Sequence, residues 1–195
     1  MKKALVLSLA AAGALALGAL ALQTGTGLSV PVMNWAKPVE QHKLLESLEG
    51  VWDADIKIFR NPDQSPLTYS VQETVRAVCG GLFITVETEG GDKETGFSSR
   101  AIYGYEAKMS RYNGVLADKS GATWTKLEGQ AAKDGKTVTF TGEGPDLRYV
   151  EKNSKFEYVW TFGKKGERTT AVTIIEDDGK RTKWAEIAYK FKKKK

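Results

Sequence analysis

Val51-Trp52-Asp53-Ala54-Asp55-Ile56-Lys57-Ile58-Phe59 places Trp52, Ala54, Ile56 and Ile58 on one face of an extended chain and Asp53, Asp55 and Lys57 on the other. A period of two with a single apolar face is the pattern of a half-buried β-strand. The residues before it read differently. Pro38 opens a helical pattern through Val39-Glu40-Gln41-His42-Lys43-Leu44-Leu45-Glu46-Ser47-Leu48-Glu49, with Leu44, Leu45 and Leu48 as its apolar face. Proline suits a first helical turn, and Gly50 suits the stop. At Gly50 the period therefore changes from helical to two.

Runs of the same alternating kind follow at 67–78, 82–89, 97–105, 111–118, 123–131, 137–141, 155–162, 169–176 and 182–191. Turn residues separate many of them, as in Gly90-Gly91-Asp92, Lys119-Ser120-Gly121, Lys133-Asp134-Gly135-Lys136 and Asp177-Asp178-Gly179-Lys180. Gly80-Gly81 has the spacing of a tight hairpin. About ten strands joined by short turns pair consecutively and antiparallel, and closing the sheet removes its two exposed edges. The expected fold is thus all-β, an up-and-down antiparallel barrel over 38–192, with a two-sheet sandwich as the other arrangement. The distinction bears on function, because a barrel of this strand number can leave an interior cavity whereas a sandwich packs its inner faces together.

Upstream, Lys2 and Lys3 precede the uncharged run from Ala4 to Leu22, and Ala19-Leu20-Ala21 is a small-x-small sequence of the kind a signal peptidase cuts. Residues 1–22 read as an export signal helix, which implies a periplasmic or extracellular protein. An apolar run of about twenty residues also has the length of an uncleaved membrane anchor, the alternative reading. Residues 23–37 mix Gly, Thr, Ser and Pro without periodicity and read as a spacer.

The net charge of +5 is a mild excess, with Lys190 and Lys192 to Lys195 crowded at the C-terminus. The run over 193–195 reads as a solvated tail. Nothing here calls for a nucleic-acid partner, and membrane contact is confined to the tail or an uncleaved N-terminus. Cys79 is the sole cysteine, so no internal disulfide forms. Its setting, Ala77-Val78-Cys79-Gly80-Gly81-Leu82, reads as that of a small buried hydrophobe.

A short helix running into Gly50-Val51-Trp52 resembles the G-x-W opening of lipocalin-type (calycin) barrels. That resemblance implies that Trp52 closes one barrel end and that a basic residue of the last strand, Lys190, packs over it. Further elements are Glu73-Thr74-Val75-Arg76 before Gly80-Gly81-Leu82, then Tyr103-Gly104-Tyr105, then Thr139-Phe140-Thr141-Gly142-Glu143-Gly144-Pro145-Asp146. Together with Glu40 to Leu45, they resemble the bacterial family called domain of unknown function 1579 over about residues 39–191. The resemblance implies a calycin-like barrel and carries no activity with it. After Tyr105 the family pattern runs through Asp-Pro, where this chain has Glu106-Ala107.

No catalytic or metal-binding signature is complete. His42 is the only histidine, which rules out a multi-histidine metal cluster, and its helical position reads as surface. Haem has no obvious axial ligand on a barrel wall, and no nucleophile-elbow sequence accompanies His42. Gly142-x-Gly144 lacks the strand-to-helix context of a phosphate loop and reads as a turn. Cofactors and metals are therefore not expected.

Aromatic residues on the strands are the positive feature. Tyr103, Trp124, Tyr158 and Trp160 are candidates to line a pocket, with Arg100 and Glu73 as candidate charged contacts and Arg76 and Glu186 behind them. The same aromatics also serve simply as core. Three functional classes follow: a module that binds a small, largely apolar molecule, an envelope-associated interaction protein with a filled barrel, and an enzyme, for which no convergent polar set is visible.

Overall fold

The computed structural model describes residues 36–193 except 61–62, 92–95, 120, 122–123, 147, 150–151 and 164–166. The signal helix read over 1–22, most of the spacer, and Lys194 and Lys195 lie outside the described residues. A short helix α1 (Glu40–Glu46) precedes β1 (Gly50–Ile58), β2 (Leu67–Val78), β3 (Phe83–Gly90), β4 (Phe97–Glu106) and β5 (Arg111–Asp118). Then come β6 (Thr125–Ala131), β7 (Thr137–Pro145), β8 (Asn153–Phe162), β9 (Glu167–Ile175) and β10 (Arg181–Lys193). Each strand pairs antiparallel with the next, and β10 closes on β1, with Trp52 opposite Phe191 and Ile56 opposite Ile187. The sheet is a closed up-and-down barrel, so the sandwich is excluded.

Alternation places the residues as their polarity requires. On β1, Trp52, Ala54 and Ile56 are buried while Asp53, Asp55 and Lys57 are exposed. At the end where β1 begins, α1 packs against β2, β3 and β4 and lowers Leu45 and Leu48 into the barrel, each only 2% exposed. Trp52 joins this plug to the wall, since its indole Nε1 donates to the Leu48 carbonyl at 2.8 Å. Val75, Ile84, Tyr112, Leu127, Val138 and Phe140 fill the space beneath. This end is solid.

Several local expectations change. His42 is not on the surface but 3% exposed, and its Nδ1 accepts the Val39 N–H at 3.0 Å. The His42 N–H in turn donates to the Val39 carbonyl at 2.9 Å. The imidazole thus does the work of the carboxylate in a capping box, which frees it from needing water. Cys79 is exposed rather than buried, because β2 leads into a one-turn 3-10 helix, Cys79–Gly81, that carries it out of the sheet. Cys79, Gly80 and Gly81 all have positive φ, so the connection is wider than the two-residue hairpin expected. Gly142 and Gly144 lie inside β7 and not in a turn. A Cβ on Gly142 would come within 2.2 Å of the Lys126 carbonyl oxygen, so close approach of β6 explains that glycine.

The departure at Glu106-Ala107 is accommodated by a turn in which the Met109 N–H donates to the Glu106 carbonyl at 3.1 Å. The Glu106 carboxylate accepts from Asn113 at 3.0 Å. At the other terminus, Lys193 pairs with Val51 inside β10, so the sheet takes in the first residue of the lysine run.

Trp52→Ala is expected to lower stability by about 3–5 kcal/mol in urea denaturation, because it removes a buried aromatic and its hydrogen bond together. Trp52→Phe keeps most of the volume and is expected to lose only about 1 kcal/mol.

Candidate ligand-binding cavity

Away from α1 the barrel is not filled. Inward positions carry small side chains, Ala54, Thr88, Ser99, Ala101 and Ala185 among them, and they surround a cavity of about 350 Å³. Volumes of roughly 300–1,000 Å³ are those of small-molecule sites. Ile56, Val71, Leu116, Val172 and Ile187 make its walls apolar. Trp184 also faces it because a β-bulge at Lys183/Ala185 turns Trp184 and Ala185 inward together.

At the floor lies a buried ion pair. Arg168 on β9 and Glu73 on β2 are 2% and 4% exposed, and an Arg168 Nη2 bond to Glu73 Oε1 joins them. The Thr88 hydroxyl donates to Glu73 Oε2 at 3.5 Å, a long contact. The guanidinium carbon lies 3.7 Å from the Tyr189 ring centroid, 5.3 Å from that of Trp52 and 5.5 Å from that of Trp160. Burial is the largest influence on Arg168 and works against its charge, but the Glu73 carboxylate together with Tyr189 and Tyr103 outweighs it and holds the guanidinium above its usual value. Burial likewise pushes the phenols of Tyr103, Tyr158 and Tyr189 well above the ordinary tyrosine range. All three line the cavity as neutral hydroxyls.

Tyr103, Tyr158, Trp160 and Glu73, singled out in the sequence, come together on this cavity. The Tyr103 and Trp160 rings meet edge to face at 4.8 Å. Three other candidates do not join them. Trp124 is 67% exposed, because it lies just before β6 and is out of phase with the inward Thr125 and Leu127. Arg100 points outward because it alternates with the inward Ser99 and Ala101, and it pairs with Glu89. Arg76 and Glu186 are outside too, paired with Glu87 at 3.2 Å and Lys183 at 2.6 Å.

Lys190 does not cover Trp52. It is exposed opposite Asp53, one position out of phase with the inward Tyr189. The basic residue over Trp52 is Arg168, from the neighbouring strand β9. Sequence reasoning missed Arg168, although its phase with Thr170 and Val172 on β9 marks it as an inward charge facing another inward charge, Glu73.

A family model described as "Protein of unknown function (DUF1579)" matches residues 37–190. The chain belongs to this family. Among curated proteins none is similar. Among solved structures, the DUF1579 chain resembles Rv2717c from M. tuberculosis, with TM-score 0.57 and 15% identity over 80% of this chain and 100% of that one. It also resembles the S-type phycobiliprotein lyase CPES from Guillardia theta, with TM-score 0.55 and 14% identity over 80% of this chain and 95% of that one. Identities this low speak for the barrel fold alone.

The Gly142-Glu143-Gly144-Pro145-Asp146 stretch that resembles the family ends in a clasp at the cavity end of this DUF1579 barrel. Asp146 is 2% exposed and accepts from the Ser154 hydroxyl at 2.6 Å and from Arg148 Nη2 at 2.7 Å. Arg148 Nη1 reaches on to Glu176, after β9, at 2.8 Å. The β7–β8 connection is thereby tied to the β9–β10 turn. Burial alone would raise the Asp146 carboxyl, but bonds from Arg148 and Ser154 reverse this and bring it down to about 2. A carboxyl lowered in the folded state stabilises fully above its unfolded value and loses that effect as pH falls toward about 2. Asp146→Asn is therefore expected to cost about 2 kcal/mol at neutral pH and progressively less below about pH 4 in acid-unfolding curves.

Proposed function

We propose that the protein is exported and that its barrel carries one small, largely apolar molecule. The carrying observation is the cavity itself: about 350 Å³ of space walled by aliphatic and aromatic side chains, in a barrel whose other end is solidly packed. Open apolar space in a core loses packing contacts, so an occupant that supplies them stabilises the fold. Lys2-Lys3 with the apolar run to Leu22 and the Ala19-Leu20-Ala21 site supports export. The shared fold of a phycobiliprotein lyase is consistent with small-molecule work for such a barrel.

Within this reading Trp160, Tyr103, Tyr158 and Trp184 supply flat contact surface, and the Asp146 clasp holds the loops beside the opening. An occupant at about a hundred times its Kd would add about 2.7 kcal/mol of stability.

Native mass spectrometry of the protein as its exporting host processes it tests both halves. The expected result is an N-terminus cut after the Ala19-Leu20-Ala21 site and one bound small molecule per chain. Ala101→Phe is expected to fill the cavity and abolish the adduct with the fold retained by circular dichroism, while Trp124→Ala, outside the cavity, leaves it. A clean apo mass that persists with lipid extracts added, or an adduct that survives Ala101→Phe, would remove the reading.

A further inference from the structure

We propose that the molecule held in the cavity is uncharged and carries at one end a carbonyl, ester, ether or hydroxyl oxygen that takes its hydrogen bond from the phenols at the floor. This rests on the reading of the cavity as a ligand site, and goes further by assigning the ligand's charge and polar group.

The lining is electrically closed. Among the described residues, its ionisable side chains of ordinary charge are Glu73, Arg168, Asp118 and Lys119, two of each sign. Asp118 and Lys119 sit where β5 ends, at the mouth. In the interior only Glu73 and Arg168 remain, and each is committed to the other. One face of the guanidinium is further covered by the Tyr189 ring at 3.7 Å.

A carboxylate entering this space has two ways to reach Arg168, both costly. It displaces Glu73 and strands a buried carboxylate, or it joins Glu73 and places two like charges side by side at low dielectric. An ammonium meets the converse problem, because the interior carboxylate, Glu73, is already bonded to Arg168. A charged group in the interior thus gives up its hydration without gaining a free counter-ion there. An uncharged oxygen has no such cost. The Arg168 guanidinium lies 3.7 Å from the Tyr189 ring and 5.5 Å from the Trp160 ring, and the Tyr103 ring meets Trp160 at 4.8 Å, so Tyr103 and Tyr189 stand beside the ion pair. The Tyr103 and Tyr189 hydroxyls stay protonated there, and a phenol donates readily to a neutral acceptor. The remaining walls, from Ile56 to Ile187, take an aliphatic or ring body.

The test is a matched series titrated into the full protein at neutral pH: decanol, methyl decanoate, decanoate and decylamine, followed by tryptophan fluorescence and by melting temperature. Decanol and methyl decanoate are expected to bind at least about tenfold more tightly than the two ions, ~1.4 kcal/mol. Decanoate or decylamine binding as tightly as decanol would overturn the charge argument and leave the cavity standing. No response to any of the four would take down the cavity reading and the inference with it. Glu73→Gln leaves the Arg168 charge without its partner and is expected to raise the affinity for decanoate relative to decanol at least about tenfold. In the double variant Glu73→Gln/Arg168→Gln the interior is neutral again, and the wild-type order is expected to return. An unaltered decanoate affinity relative to decanol in a folded Glu73→Gln protein would overturn the assignment, and the wild-type series decides the matter if neither variant folds.

Discussion

The Arg168 guanidinium on β9 lies over Trp52 of β1, Trp160 of β8 and Tyr189 of β10, and it bonds Glu73 of β2. Five strands therefore meet at one buried cation. Isolated inside a protein this charge would be prohibitive, and its aromatic surroundings relieve only part of the cost. The Glu73 carboxylate, on a strand far from β9 in sequence, is what makes it tolerable. A buried pair of this kind adds little to stability compared with a well-packed apolar substitute, but it penalises every arrangement in which the two partners fail to meet. Slipping β2 or β9 by one residue would turn Glu73 or Arg168 out to solvent and leave the other alone. The pair favours a single closed register.

From that layer the two halves of the barrel diverge through side-chain size. Toward α1 the inward positions are Tyr112, Phe140, Leu127 and Ile84, with Leu45 and Leu48 let in from above. Away from α1 they become Ala54, Thr88, Ser99, Ala101 and Ala185. The space is there because the side chains of the second half are too short to meet across the barrel, while the Asp146–Arg148–Glu176 clasp ties two of the connections at that end to each other.

The ion pair also divides the interior chemically. It supplies charge to the layer between plug and cavity, yet its two charges cancel, so the cavity receives hydroxyl dipoles and no net charge from its floor. This is the physical basis of the ligand chemistry proposed above.

Fold and strand order were legible from residues such as Trp52 to Ile58, Leu67 to Val78 and Arg111 to Asp118, because polarity alternating with period two needs only the local chain. The family resemblance over the barrel was legible for the same reason, through short linear motifs. Tyr103, Tyr158, Trp160 and Glu73 could be nominated as aromatics and a charge on strands, but the same reasoning nominated Trp124 and Arg100, which lie outside, because the local pattern does not say which face is interior. What phase could not supply was the partner across the barrel. Arg168 over Trp52, the burial of His42 and the outward turn of Lys190 each depend on which strand lies beside or opposite which, and at what level. That relation arises only when β10 closes on β1, since contacts between residues so distant in sequence leave no local pattern. Whether the aromatic residues fill the core or border a space was likewise decided by the sum of side-chain lengths meeting across the closed barrel.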